Sequence, residues 1–205
     1  MLSNRRLTGF EVDHHRRKLA PLSQLCAFPS ADSSKTLIVP PEFQGLDEDI
    51  RRDGYAFLPG AKIMAGLQAQ GMGADWETFA ASWDDLGLDR YMADGGRYRQ
   101  RRFAAFRAGP EGCTRKSHQP HYQSRDYNVL NGDVERWFEP VLDRIGEHHF
   151  TRDLIGICAW VFDRVAPVSV RSSPWHAEMH QFRIEAGDAE AGRPTPEGMH
   201  RDGVD

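Results

Sequence analysis

Cysteine is scarce: Cys26, Cys113 and Cys158 are odd in number, widely spaced and without a Cys-x-x-Cys pair. That excludes a disulfide framework and a zinc ribbon, and a reducing, cytoplasmic setting is the expectation. Long apolar runs are also missing, so no stretch approaches a membrane span. Arg5-Arg6 could open an export signal, but the charged stretch from Glu11 to Lys18 occupies the place an apolar core would need. Nor is there an excess of positive charge. A net charge of −4 argues against bulk attraction to nucleic acid or to an anionic membrane. What is present is 40% hydrophobic residues with five Trp and eleven Phe in 205 residues, enough for one cored domain with a tail.

Residues 1–36 mix basic clusters with Ser30-Ala31-Asp32-Ser33-Ser34 and have no sustained apolar period, which predicts a flexible extension ahead of a domain over 37–205. Asp13 and His15 fall in it and read as solvated polar residues. After Pro40-Pro41, Phe43, Leu46 and Ile50 recur at helical spacing, and Tyr55 to Leu58 reads as a short strand. Helical patterns follow over Ala61 to Ala69 and Asp75 to Leu86. In the second, Trp76, Phe79 and Trp83 make one apolar stripe suited to covering a sheet.

Arg97 to Arg107 interleaves arginines with aromatics, the composition of a nucleic-acid surface. With a negative whole-chain charge it reads instead as a strand with a solvated basic face. Asp133 to His148 carries Val134, Trp137, Phe138, Val141, Leu142 and Ile145 at helical spacing, which predicts a helix kinked at Pro140 and ending on His148-His149 at its C-terminal dipole. Leu154 to Val165 is apolar but fits helix or strand. From Trp175 to Glu185 a strand is predicted, with His176, Glu178, His180, Phe182 and Ile184 on one face and Trp175, Ala177, Met179, Gln181 and Arg183 on the other.

Two places could hold a metal. His176, Glu178 and His180 could share zinc if helical, but their spacing is not the His-Glu-x-x-His of zinc proteases and the segment reads as a strand, so satisfied or surface histidines are the default. The second place is Pro194-Thr195-Pro196-Glu197-Gly198-Met199-His200-Arg201-Asp202-Gly203. If extended, it turns His200 and Asp202 to one face, two thirds of the two-histidine, one-carboxylate set of non-haem iron oxygenases. The bare tripeptide arises by chance about once in a chain this rich in His and Asp. Its surroundings are more specific. That block, with His180-Gln181-Phe182-Arg183-Ile184, Pro120-His121-Tyr122-Gln123, Asn128-Val129-Leu130-Asn131-Gly132 and Arg136-Trp137-Phe138-Glu139-Pro140, resembles the bacterial 2-oxoglutarate/Fe(II) dioxygenases that include L-isoleucine and related free-amino-acid hydroxylases.

The resemblance runs from about Gly54 onward. It implies Fe(II) held by His200, Asp202 and a second histidine, 2-oxoglutarate as co-substrate, and hydroxylation of an aliphatic carbon of a free amino acid or similar small molecule. It also implies an α+β fold with a mainly β core, a double-stranded β-helix (jelly roll) behind N-terminal covering helices. The family's second histidine and its co-substrate arginine follow the His-x-Asp pair, and no histidine follows His200 here. The expectation is therefore a partial jelly roll missing its C-terminal strands, a chain cut short and of little or no turnover. The alternative is a non-catalytic protein that binds a partner along the incomplete sheet.

Overall fold

The computed structural model describes residues 12–13, 41–69, 75–92, 94–109, 112–123, 132–171, 173–187 and 192. Its centre is a pair of long antiparallel strands, β3 (Arg99–Gly109) and β5 (Trp175–Ile184), in register from Arg99 opposite Ile184 to Ala108 opposite Trp175. Three short strands complete the sheet: β1 (Val12–Asp13) pairs with β5, while β2 (Gly87–Leu88) and β4 (Gly112–Arg115) pair with β3. Val12 and Asp13 lie within the expected extension, yet they add a strand to the sheet edge.

Strand alternation gives the sheet two different faces. Ala104, Phe106 and Ala108 on β3, with Ala177, Met179 and Trp175 opposite them on β5, turn towards a helical layer and join the larger apolar core. That layer is α1 (Leu46–Asp53), α2 (Gly60–Ala69), α3 (Trp76–Ala81), α4 (Asp143–Gly146) and α5 (His149–Val165). α5 is the main cover and contributes Phe150, Ile155, Ile157, Ala159 and Val161. α1 has acidic residues in its first turn, basic residues in its last and Gly54 at φ 82° as its C-cap, all of which suit a helix of eight residues. Asp47 ties it to α5 through Arg164 at 3.2 Å. Of the Trp76, Phe79 and Trp83 stripe, Phe79 is buried with its ring tilted against Phe150 at 4.8 Å and Trp83 packs partly buried on the core, while Trp76 stays 43% exposed, edge-on to Phe150. Among the described residues no helix is long and apolar enough to cross a membrane.

The predicted helix over Asp133 to His148 does not form. Only Asp143–Gly146 is helical there, and the residues before it run extended past β3. The reason is the backbone of β3. One of its edges is paired by β5, and the other must find partners along its buried length. β2 serves Gln100 and Arg101, β4 serves Phe106 to Gly109, and the gap is closed by Phe103 N–H donating to Glu139 O at 2.9 Å and Val141 N–H donating to Phe103 O at 3.0 Å. Pro140, unsuited to a helix interior, fits this bridge. The helical spacing of apolar residues over 134–145 was misleading, since Val134 and Trp137 stay exposed while Phe138, Val141 and Ile145 are buried. His148 likewise starts a helix instead of ending one, its Nδ1 accepting from Phe150 N–H at 3.2 Å at the N-cap of α5. Leu154 to Val165 resolves as helix. Tyr55 to Leu58 is irregular and largely exposed, not a strand.

Phe106, 1% exposed, lies between the sheet and α5, and its truncation should be felt in full. Phe106→Ala is expected to lower unfolding free energy in urea by about 3–5 kcal/mol. Phe57→Ala, at a position 81% exposed, should change it by less than about 0.5 kcal/mol.

Candidate active site on the open face of the sheet

The face of the sheet turned away from the helices carries a small apolar cluster, Phe103, Ala105 and Phe138 with Tyr91 against it, and beside it a layer of polar side chains. The register brings them together: His180 lies opposite Phe103, Glu178 opposite Ala105, His176 opposite Arg107 and Phe182 opposite Arg101. His121 arrives from a different part of the chain. Its backbone pairs with that of Arg136, at 3.0 and 2.9 Å, and this holds the segment over the sheet so that the imidazole is buried against Phe103.

Glu178 is the centre. Its Oε2 accepts from His121 Nδ1 at 3.0 Å and from His180 Nε2 at 3.1 Å, and its Oε1 accepts from His176 Nε2 at 3.3 Å. The far sides of two of those rings are held by cations. Arg101 Nη2 donates to His180 Nδ1 at 2.5 Å, and Lys116 Nζ donates to His176 Nδ1. A cation can only donate, so each of these rings is neutral with its proton on Nε2, directed at the carboxylate.

The electrostatics agree with that proton pattern. Burial alone would raise the Glu178 carboxyl, but the bonds from His121, His176 and His180 overcome it and hold the group well below the usual carboxylate range. Burial first, and then the neighbouring Arg101, push His180 down to about 3. His121 is also lowered, again chiefly by burial, with the bond to Glu178 opposing. The site is thus an ionised carboxylate with the neutral imidazoles of His121 and His180 against it. Cys113 and Cys158 are both pushed up to about 12 by burial, so neither offers a thiolate.

Two imidazoles and a carboxylate, His121, Glu178 and His180, place one ligand atom each within 4.8 Å of one another. As a donor set this has the composition of a non-haem iron site. The protons fit less well. A histidine that ligates a metal through one nitrogen carries its proton on the other and gives it to an acceptor. His180 has the reverse arrangement, because Nδ1 receives a proton from Arg101. It could bind a metal through Nε2 only if Arg101 withdrew or the ring turned over. As arranged, the cluster is a hydrogen-bonded carboxylate and not a set of free ligands.

Of the residues singled out in the sequence, His200 and Asp202 lie outside the described residues, as does Asn128 to Asn131. His176, Glu178 and His180 share a strand face as expected, and the two histidines are satisfied, partly buried residues. His121 stands 57 residues from Glu178 and carries no local pattern that foretells the meeting. The basic face expected on β3 is also different: Arg99, Arg101 and Arg102 are only 11–13% exposed and sit in ion pairs with Asp89 and Asp85.

Comparison with known proteins bears on this arrangement. A family model described as 2OG-Fe dioxygenase matches residues 80–205, well over half of the chain. Among solved structures, a bsmA homologue from Methylobium petroleophilum PM1 is 30% identical, with a TM-score of 0.68, over 85% of this chain and 68% of that one. No curated protein matches. The mixed helix and antiparallel-sheet architecture is consistent with a partial jelly roll of the dioxygenase type, N-terminal helices included.

The lowered imidazoles fix a sign for the pH dependence of stability. His180 stays neutral in the fold down to about pH 3 but protonates near 6.5 once unfolded, so the unfolded chain binds the extra proton in between. Stability present above about pH 6.5 should fall as the pH drops towards 3, by roughly a few kcal/mol. Urea titrations at pH 7, 5 and 4 should show this loss, and His180→Asn should flatten it. An equal slope in the variant would contradict the assignment.

Proposed function

The chain belongs to the 2OG-Fe dioxygenase family, and on that footing we propose that it is a 2-oxoglutarate- and Fe(II)-dependent dioxygenase hydroxylating a free amino acid or a similar small molecule. The observation that carries the reading is the family match over 80–205, which spans β3, β5 and the His200–Asp202 pair. The choice of a free amino acid rests on the sequence resemblance of the blocks around His121, Trp137 and His180. The domain taken to carry this activity is 37–205.

The family implies Fe(II) and 2-oxoglutarate, and within this reading His200 and Asp202 are the iron ligands. Bound there, iron with 2-oxoglutarate supplies an oxygen-dependent oxidation in which the co-substrate loses carbon dioxide to become succinate and a substrate C–H becomes C–OH. The preference for His200 and Asp202 over the buried trio follows from the proton pattern, since Arg101 occupies the nitrogen of His180 that would have to carry the proton. The trio has a different task in this account. Glu178 fixes three imidazoles in one tautomer each, and these rings with Phe103 and Phe138 make a firm wall for whatever binds against the sheet.

The test separates the two ligand sets. In anaerobic Fe(II) titrations of the full chain, His200→Ala and Asp202→Ala should each weaken binding by at least about ten-fold, and Glu178→Gln should leave it within about two-fold. Loss of iron binding in Glu178→Gln alone would move the iron to the buried trio. With a panel of aliphatic L-amino acids, calorimetric titration of the chain loaded with Mn(II) and 2-oxoglutarate, a readout that does not depend on turnover, should find at least one that binds, and a panel with no binder would remove the amino-acid assignment.

A further inference from the structure

One edge of β5 is paired with β3 throughout, and the direction of the β3 backbone shows what the other edge presents. Phe103 turns its N–H to Glu139 O and its C=O to Val141 N–H, Ala105 O accepts from Lys116 N–H, and Arg99 O accepts from Asp89 N–H, all on the side away from β5. In an antiparallel ladder the residues opposite such positions also face outward. Glu178, His180, Phe182 and Ile184, set opposite Ala105, Phe103, Arg101 and Arg99, therefore turn both N–H and C=O to the outer edge of β5. β1 meets that edge at its start, with Val12 opposite Ala177 and Asp13 opposite His176. Beyond β1 the outward backbone groups of these four residues have no partner among the described residues. Backbone groups beside a core are seldom left so.

We propose that residues 5–11, which lie outside the described residues, continue β1 along this edge and pair with residues 178–184. The register is already set. Carried on without a bulge, it puts Glu11 opposite Glu178, Gly9 opposite His180, Leu7 opposite Phe182 and Arg5 opposite Ile184. Asp13 and His176 form a hydrogen-bonded pair, so these pairs, at steps of two from it, are of the same kind and answer the outward groups one for one. Alternation places Phe10 opposite Met179 on the helical face, and Leu7 opposite Phe182, which is 52% exposed, on the open face. Glu11 opposite Glu178 and Arg6 opposite Arg183 are like-charge pairs and weaken the strand. In this position the N-terminal segment guards the sheet, covering a row of free N–H and C=O groups that would otherwise invite another chain. The inference rests on β1 and the sheet register, independently of the dioxygenase reading.

The experiment is amide hydrogen exchange of the full chain, read residue by residue by NMR. The amides of Glu178, His180, Phe182 and Ile184 should exchange at least about ten-fold more slowly in wild type than in Gly9→Pro, which removes the donor facing His180. Thr8→Pro should leave them within about two-fold, because in this register the Thr8 N–H points away from β5. Glu11→Gln, which relieves the charge opposite Glu178, should slow exchange further. Protected amides in α5 report that each variant is folded. If Gly9→Pro does not fold, Glu11→Gln carries the test, an unchanged rate overturning the inference. Fast exchange of the four amides in wild type, or equal effects of Gly9→Pro and Thr8→Pro, would overturn it. Slow exchange that survives Gly9→Pro would give the edge to a different occupant, and slow exchange lost on dilution would give it to a second copy; either result also overturns it.

Discussion

A carboxylate removed from water needs its lone pairs filled, and Glu178 fills them with three imidazole N–H groups instead of with a cation. The geometry of the open face follows from that arrangement. Accepting from His180 and His176 fixes both tautomers, and the tautomers in turn leave each Nδ1 free to accept from Arg101 and Lys116. Accepting from His121 pins a segment that is remote in sequence. A network of this kind gains when complete and loses steeply when one member is removed, because the survivors stay buried without partners.

The same economy of partners shapes the sheet. β3 is long and buried, and its second edge is served in turn by β2, by the Glu139–Val141 bridge and by β4. The bridge is what delivers Phe138 to the open face, where its ring meets Arg101, and the His121–Arg136 pairing upstream of it delivers the third imidazole. Helical packing on the other face, led by α5, needs only apolar volume. The two faces of one sheet therefore divide the work: one supplies stability and the other holds oriented polar groups.

Much of this was legible from residue patterns. The alternation from Trp175 to Glu185 assigned each side chain of β5 to its face, and the arginine-aromatic run marked β3. The helical patterns over 61–69 and 75–86 pointed to α2 and α3, the second giving way after Ala81 to a 3-10 turn over Ser82–Asp84. The stretch from Asp133 to His148 was not legible, because its spacing imitates a helix while its conformation is decided by the edge of β3 at Phe103, far earlier in the chain, which bonds Glu139 and Val141. Arg101 was hidden for a related reason: composition shows a basic residue, but only tertiary contacts show one lying over Phe138 and bonded to His180. The meeting of His121 with Glu178 has no local signature at all. The family blocks did point to the right regions, with His121 and His180 inside two of them, although their roles came only from the geometry.

The proposed iron site at His200 and Asp202 is distinct from the hydrogen-bonded carboxylate hub at Glu178, and anomalous diffraction tests that separation most directly. Crystals of the full chain grown with Mn(II) and 2-oxoglutarate should show the metal peak between His200 and Asp202, with Glu178 still within hydrogen-bond distance of His121 and His180. A peak lying instead among His121, Glu178 and His180, with Arg101 drawn away from His180, would contradict it.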